Sequence, residues 1–373
     1  MRIVRNNMNQ CSFSFLRSTF VYLRRQNLVC KVDLSNYLVK PIKKSHKMST
    51  TEAAKTNGFD KTHENSVKNG VNEEEAREWV DYEIPVPWGI VSGKWYGTKF
   101  RQPIIALHGW QDNCGTFDKL IPMLPKDIPI LAIDLPGHGK SSHYPKGMQY
   151  YLFWDGITLI RRIVKYHKWS NITLMGHSLG GALSFMYAAC FPEETAKFIS
   201  IDIAGPTVRD HIKLANRTGD CVDKLLLYEN LPESKMPCYT YEEMIDLVLD
   251  AYQGSVDRES VKVLMKRGMA PAPEHLHKNG FHFSRDLRLK VSMMGMFSEE
   301  QVLQYASQIR CEVLNIRARP GMCFGDPNMY PKVIEKMREN AKRLCYEEVE
   351  GTHHVHLVHP ERISEIVTDF LMS

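Results

Sequence analysis

From about residue 80 onward, short apolar runs alternate with stretches that carry apolar residues at helical spacing. Glu83 to Val91 and Gly93 to Tyr96 predict an antiparallel hairpin. Pro103 to Leu107 and Pro129 to Ile133 are continuous apolar runs bounded by turn residues, the pattern of strands covered on both faces. Tyr150 to Tyr166 repeats its apolar residues at helical spacing and predicts a helix. Asn171 to Met175 predicts a strand and Ala182 to Cys190 a helix. Ala196 to Ile203, Glu312 to Ile316 and Leu344 to Val349 predict further strands, and Pro360 to Leu371 an amphipathic helix. Strands separated by helices imply an α/β fold with a mostly parallel central sheet covered by helices.

One stretch breaks the alternation. From about residue 206 to 308 no core strand is evident, while Tyr241 to Tyr252, Arg258 to Lys266 and Glu299 to Gln308 read as helices. An insertion between two late strands of one sheet predicts a helical lid over the carboxyl edge of the strands, where such sheets place their sites. Its Met269, Phe281, Phe283, Met293, Met294 and Met296 suggest an apolar pocket for an acyl chain.

The strongest chemical signal is Gly176-His177-Ser178-Leu179-Gly180-Gly181, between the predicted strand and the predicted helix. A strand that turns straight into a helix needs small residues, because a Cβ would clash with the neighbouring backbone. Ser178 at the apex presents its hydroxyl beside the helix N-terminus, whose N–H groups favour negative charge. A serine hydroxyl is a weak nucleophile and needs a base, an orienter for the base and donors for the oxyanion. In this arrangement the acid and the histidine follow the serine in the chain. His353, after a strand end and the Gly351-Thr352 turn, is the candidate base, and His354 is the competitor. The acid is expected on the loop after Glu312 to Ile316, where Asp326 is the first carboxylate; Asp202, at the end of the preceding strand, is the alternative. The N–H groups of Trp110, after Gly109, and of Leu179 are the expected oxyanion donors.

Composition limits the classes. Residues 1–47 hold ten Lys/Arg and one acid, so the net charge of +5 leaves about −4 for the remainder. No pattern for binding nucleic acid follows from that mildly acidic body. The segment 1–75 therefore reads as a basic amino end with a polar linker over 49–72, and 76–373 as the folded domain. An arginine-rich, acid-poor amino end has the character of a mitochondrial transit segment, with the cytosol as the alternative if translation starts at Met48. No apolar run approaches a membrane span. The nine cysteines are scattered, without a C-x-x-C pair, which argues for a reducing compartment. Gly139-Lys140-Ser141 fails as a phosphate loop because position 134 is Asp134, not glycine. His353, His354, His356 and His359 cluster, but no carboxylate or cysteine stands near them at ligand spacing, so neither a metal nor a cofactor is expected.

His108-Gly109-Trp110-Gln111-Asp112-Asn113, Asp134-Leu135-Pro136-Gly137-His138-Gly139, the Ser178 motif and Gly351-Thr352-His353-His354-Val355-His356 occur in that order. With them the chain resembles the α/β-hydrolase superfamily, and most of all its serine hydrolase-like proteins, over about residues 80–373. The resemblance implies a Ser-His-acid hydrolase with Ser178 as nucleophile and His353 as base, and an intracellular setting in which relatives are associated with peroxisomes. Serine at position 178, where an aspartate would be needed, argues against epoxide-hydrolase and dehalogenase chemistry. The expected activity is cleavage of a small-molecule carboxylic ester or related acyl bond through an acyl-enzyme. The competing expectation, motivated by the displaced acid, is a non-catalytic hydrolase-fold protein that binds a small apolar ligand.

Overall fold

The computed structural model describes residues 77–277, 279–291, 295–322 and 325–373; the expectations for residues 1–75 lie outside it. The strands of the main sheet are β1 (Trp79–Val86), β2 (Gly89–Tyr96), β3 (Ile104–Leu107), β4 (Ile130–Ile133), β5 (Ile172–His177), β6 (Thr195–Ile201), β9 (Glu312–Pro320) and β10 (Arg343–Gly351). They lie in the order β1-β2-β4-β3-β5-β6-β9-β10. The β1–β2 and β2–β4 pairs are antiparallel and all the others parallel. The expected hairpin exists, with its turn at Pro87-Trp88 rather than at Ser92. β3 leads to β4 on one side and, later in the chain, to β5 on the other. The strand order thus reverses at the carboxyl ends of β3 and β5, the point where an α/β sheet opens a crevice.

Both faces of this sheet are covered. Along β3, Ile105 and Leu107 join one apolar cluster, with Ile160, Leu183 and Val333. Ile104 and Ala106 join the other, with Phe117, Val367 and Phe370, as the two-residue period of a strand requires. The helices supplying these faces are α1 (Leu152–His167), α2 (Leu179–Cys190), α7 (Met329–Arg338) and α9 (Glu361–Met372), with the short α8 (Val355–Val358) before the last. α2 is buried from Leu179 to Ala189, which an Ala/Leu-rich sequence without charge allows. It presses so closely on β3 that a Cβ at Gly180 would stand 1.9 Å from the Leu107 carbonyl oxygen.

Between β6 and β9 the chain makes α3 (His211–Glu229), α4 (Tyr241–Tyr252), α5 (Arg258–Gly268), the separate hairpin β7 (Met269–Pro271) with β8 (Phe281–Phe283), and α6 (Glu299–Ala306). α3, α7 and the β7–β8 hairpin are additions to the sequence expectation. This insert is fixed to the sheet by buried charge. Arg267 reaches Asp134 (2.7 Å), the Ser92 hydroxyl (3.0 Å) and Asp81 (2.9 Å). Asp134 also accepts the Cys114 and Lys140 N–H groups (2.8 and 2.9 Å). The pocket residues expected from sequence are not one group. Met269 pairs with Phe283 in the hairpin, whose rings meet Tyr239 and Tyr241, whereas Met296 packs on the main core. Met293 and Met294 lie outside the described residues. Among the described residues no helix is long and apolar enough to cross a membrane.

Two predictions follow from this packing. Gly180→Ala forces a Cβ into the β3 backbone, and overpacking of this kind costs about 1–3 kcal/mol or more. A urea-unfolding midpoint equal to wild type would contradict it. The second concerns pH. His108, His138, His177, His354 and His356 are buried, and burial lowers the pKa of each: His108 to about 4, His356 to about 3, the others well below the ordinary value. Below pH about 6.5 the unfolded chain therefore binds protons that the folded chain refuses. Asp112 and Asp155, which burial raises to about 7 and about 6, act in the opposite sense and are outnumbered. The unfolding midpoint should fall steadily from pH 7.5 to pH 5; a flat or rising midpoint would contradict the neutral burial of these rings.

Candidate active site

Ser178 sits between β5 and α2 with φ +50° and ψ −116°, a conformation that non-glycine residues rarely adopt and that is characteristic of strained functional turns. Two close approaches hold the chain there. A Cβ at Gly176 would meet the Gly180 carbonyl carbon at 2.1 Å, and one at Gly181 would meet Ile203 at 2.6 Å. The Ser178 N–H donates to the Ile201 carbonyl (3.1 Å), which ties the apex to β6. Gly109 flanks the apex from the end of β3: its missing Cβ would stand 3.4 Å from the Ser178 Cβ. The backbone therefore passes beside the nucleophile just before Trp110. The Leu179 N–H opens α2, where no intrahelical acceptor exists.

His353 follows β10 and is buried, with Nδ1 2.6 Å from Asp202 Oδ2. A carboxylate oxygen accepts, so Nδ1 carries the proton and Nε2 keeps its lone pair. Asp202 ends β6 in the left-handed region, at φ +52°, which aspartate tolerates better than most residues. Its N–H donates to the Ile316 carbonyl (2.7 Å). Its carboxylate also accepts the N–H groups of Ala318 (2.9 Å) and Met322 (3.1 Å). A loop residue, Thr352, braces the histidine turn by donating to the Ser255 carbonyl (2.7 Å).

The structure does not bring Asp326, the first choice from sequence, to this histidine. Asp326 is exposed, across a cavity from Asp202, and its carboxylate accepts the Asn328 N–H (2.9 Å). The cause is the length of β9, which continues past Ile316 to Pro320. The loop that should have carried the acid starts too late, and the position beside His353 is filled from β6. His354 is also separated from that carboxylate: its Nδ1 is 2.7 Å from the Ser255 hydroxyl and its ring meets Tyr252 edge-on. The half-buried Trp110 ring donates from Nε1 to the Leu289 carbonyl (2.9 Å), joining the end of β3 to the insert.

A second constellation lies behind the first and was not legible from spacing. Single ligand atoms of Asp112, His177 and His354, all buried, lie within 4.8 Å of one another. The carboxylate that the histidine cluster lacks in sequence thus arrives from the loop after β3. His177 joins the two constellations, since its Nε2 is 2.9 Å from the His353 carbonyl oxygen and its ring packs on those of His353, His354 and His356.

Residues 102–225 match the alpha/beta hydrolase fold family. A probable serine hydrolase of Drosophila melanogaster is 64% identical over 293 residues, covering 79% of this chain and 88% of the relative. A serine hydrolase-like protein of Danio rerio is 35% identical over 296 residues, covering 78% and 88%. Among solved structures, the hypothetical protein PA1622 of Pseudomonas aeruginosa PAO1 superposes with a TM-score of 0.65 at 26% identity, covering 78% of this chain and 97% of that one. The chain belongs to the serine hydrolase-like proteins of the α/β-hydrolase fold.

Proposed function

We propose that this hydrolase cleaves a small-molecule carboxylic ester or related acyl bond through an acyl-enzyme on Ser178. The observation that carries the reading is the 2.6 Å contact of His353 Nδ1 with Asp202, beside a serine held at the apex of a strained strand-to-helix turn. In this reading Asp202 orients His353, so that the Nε2 lone pair takes the proton as Ser178 Oγ bonds to the acyl carbon. The carbonyl oxygen becomes an oxyanion, held by the N–H groups of Leu179 and Trp110. Such preorganised donors are worth on the order of 10²–10³ in rate each. The intermediate collapses as the C–O bond to the alcohol breaks, and the alcohol leaves with the proton from His353. Water then attacks the acyl carbon, gives its proton to His353 and restores Ser178 as the acid departs.

The insert over 206–308 serves as the lid of this site. Support comes from its contacts with the residues that frame the nucleophile: Leu289 with Trp110, Ser255 with Thr352, and Leu264 with Asn113 (2.9, 2.7 and 2.9 Å). Asp202 in contact with His353 supports this reading over a non-catalytic receptor for a small apolar ligand.

Ser178→Ala should abolish both fluorophosphonate labelling and turnover of a p-nitrophenyl ester panel; equal labelling of variant and wild type would refute the assignment. Asp202→Asn should lower kcat by up to about 10⁴, as loss of the orienting carboxylate does in the serine-protease case, with KM little changed. Asp326→Asn should stay near wild type. The reverse outcome, with both variants folded by circular dichroism, would return the acid to the loop after β9.

A further inference from the structure

The buried group behind the nucleophile has an electrostatic defect. His177 Nε2 faces the His353 carbonyl oxygen, which can only accept, so the His177 proton is on Nε2 and Nδ1 carries a lone pair. That Nδ1 has no hydrogen-bond partner among the described residues, and neither has Asp112 Oδ2. Asp112 uses its other oxygen to accept the Asn113 N–H (3.0 Å). His354 Nδ1 shares a hydrogen bond with the Ser255 hydroxyl (2.7 Å), and its Nε2 faces Asp112 Oδ2 at 3.8 Å. Two unpartnered acceptors and the His354 Nε2 then face one space from residues that are 4%, 1% and 3% exposed. Buried acceptors left unsatisfied cost about 1–3 kcal/mol each, so this arrangement calls for positive charge.

We propose that Asp112, His177 and His354 form a binding site for one divalent transition-metal ion of the zinc class. The donor set, two neutral imidazoles and one carboxylate, suits such an ion. Two further features of a metal site are already built. Each imidazole has its remote nitrogen held by a neighbour, the His353 carbonyl for one and the Ser255 hydroxyl for the other, which is how ligating histidines are usually oriented. A cavity lined by Asp112, Gln111, Tyr252 and Arg285 adjoins the group on the side of Asp112. Donors around a tetrahedral ion stand roughly 3.3 Å apart, so the ion draws the three inward by about an ångström. His177 precedes Ser178 and His354 follows His353, so a bound ion would tie the nucleophile turn to the histidine turn. The role is one of positioning and stability.

The test uses the full chain, stripped with a chelator and then loaded with Zn²⁺ or Co²⁺. Other histidines, such as His275 and His277, can also bind metal, so variants are essential. Wild type should take up one tight equivalent by elemental analysis, melt at a higher temperature when loaded, and show the intense visible bands of tetrahedral Co²⁺. His354→Phe and Asp112→Asn should each lose one equivalent, the thermal shift and the bands. No uptake, or the same uptake and shift in wild type and both variants, would overturn the site and leave it to a water or to a protonated Asp112. If the variants do not fold, X-ray absorption of the loaded chain carrying His275→Ala and His277→Ala decides. Two imidazoles with light-atom ligands support the proposal; sulfur ligands or an all-oxygen shell overturn it.

Discussion

The Asp202 carboxylate is the contact on which the site depends. It takes three hydrogen bonds, from the backbone of β9, from the loop beyond it and from the ring of His353. Those donors come from segments distant in sequence. Asp202 can collect them only because its own backbone turns into the left-handed region at the end of β6. One side chain thereby sets the position of the loop after β9 and the tautomer of the histidine. The strain at Ser178 has a similar origin. A hydroxyl held out of the sheet requires α2 to start at once, and α2 can lie there only because three glycines leave the space.

The same economy of contact appears in the insert. It hangs from the sheet by a buried arginine on one side and by a network around Arg288 on the other, where Asp286, Tyr144 and Met148 receive the guanidinium. Replacing one partner of such a pair leaves a charge without compensation, which typically costs about 3–5 kcal/mol. The indole of Trp110 adds a bond from the end of β3 to Leu289 of the insert. The residue whose N–H is proposed to hold the oxyanion is thus also a direct link between the sheet and the insert.

The sequence pattern carried most of the framework and part of the site. Buried runs such as Ile104–Leu107 and Ile130–Ile133 were legible because a strand covered on both faces has no polar alternation to confuse it. Ser178 was legible because glycine spacing reports a local geometry. α3 was not, since it buries only Leu225 and leaves Ile212, Leu226 and Leu227 exposed, so no apolar stripe marks it. Asp326 was expected beside His353 and Asp202 stands there instead, for a non-local reason. The extension of β9 to Pro320 depends on its pairing with β10, and neither residue spacing nor composition near Asp326 records that pairing. The Asp112–His177–His354 group was invisible for the same reason, because the loop after β3, the end of β5 and the turn after β10 meet only in the folded chain.

The account stands or falls on how His353 is held when Ser178 reacts. A crystal structure of the chain after treatment with an alkyl fluorophosphonate measures this directly. The account predicts phosphorus bonded to Ser178 Oγ, one phosphonyl oxygen within hydrogen-bond distance of the Trp110 and Leu179 nitrogens, and His353 Nδ1 still on Asp202. An adduct on another residue, or His353 turned away from Asp202 toward a different carboxylate, would contradict it.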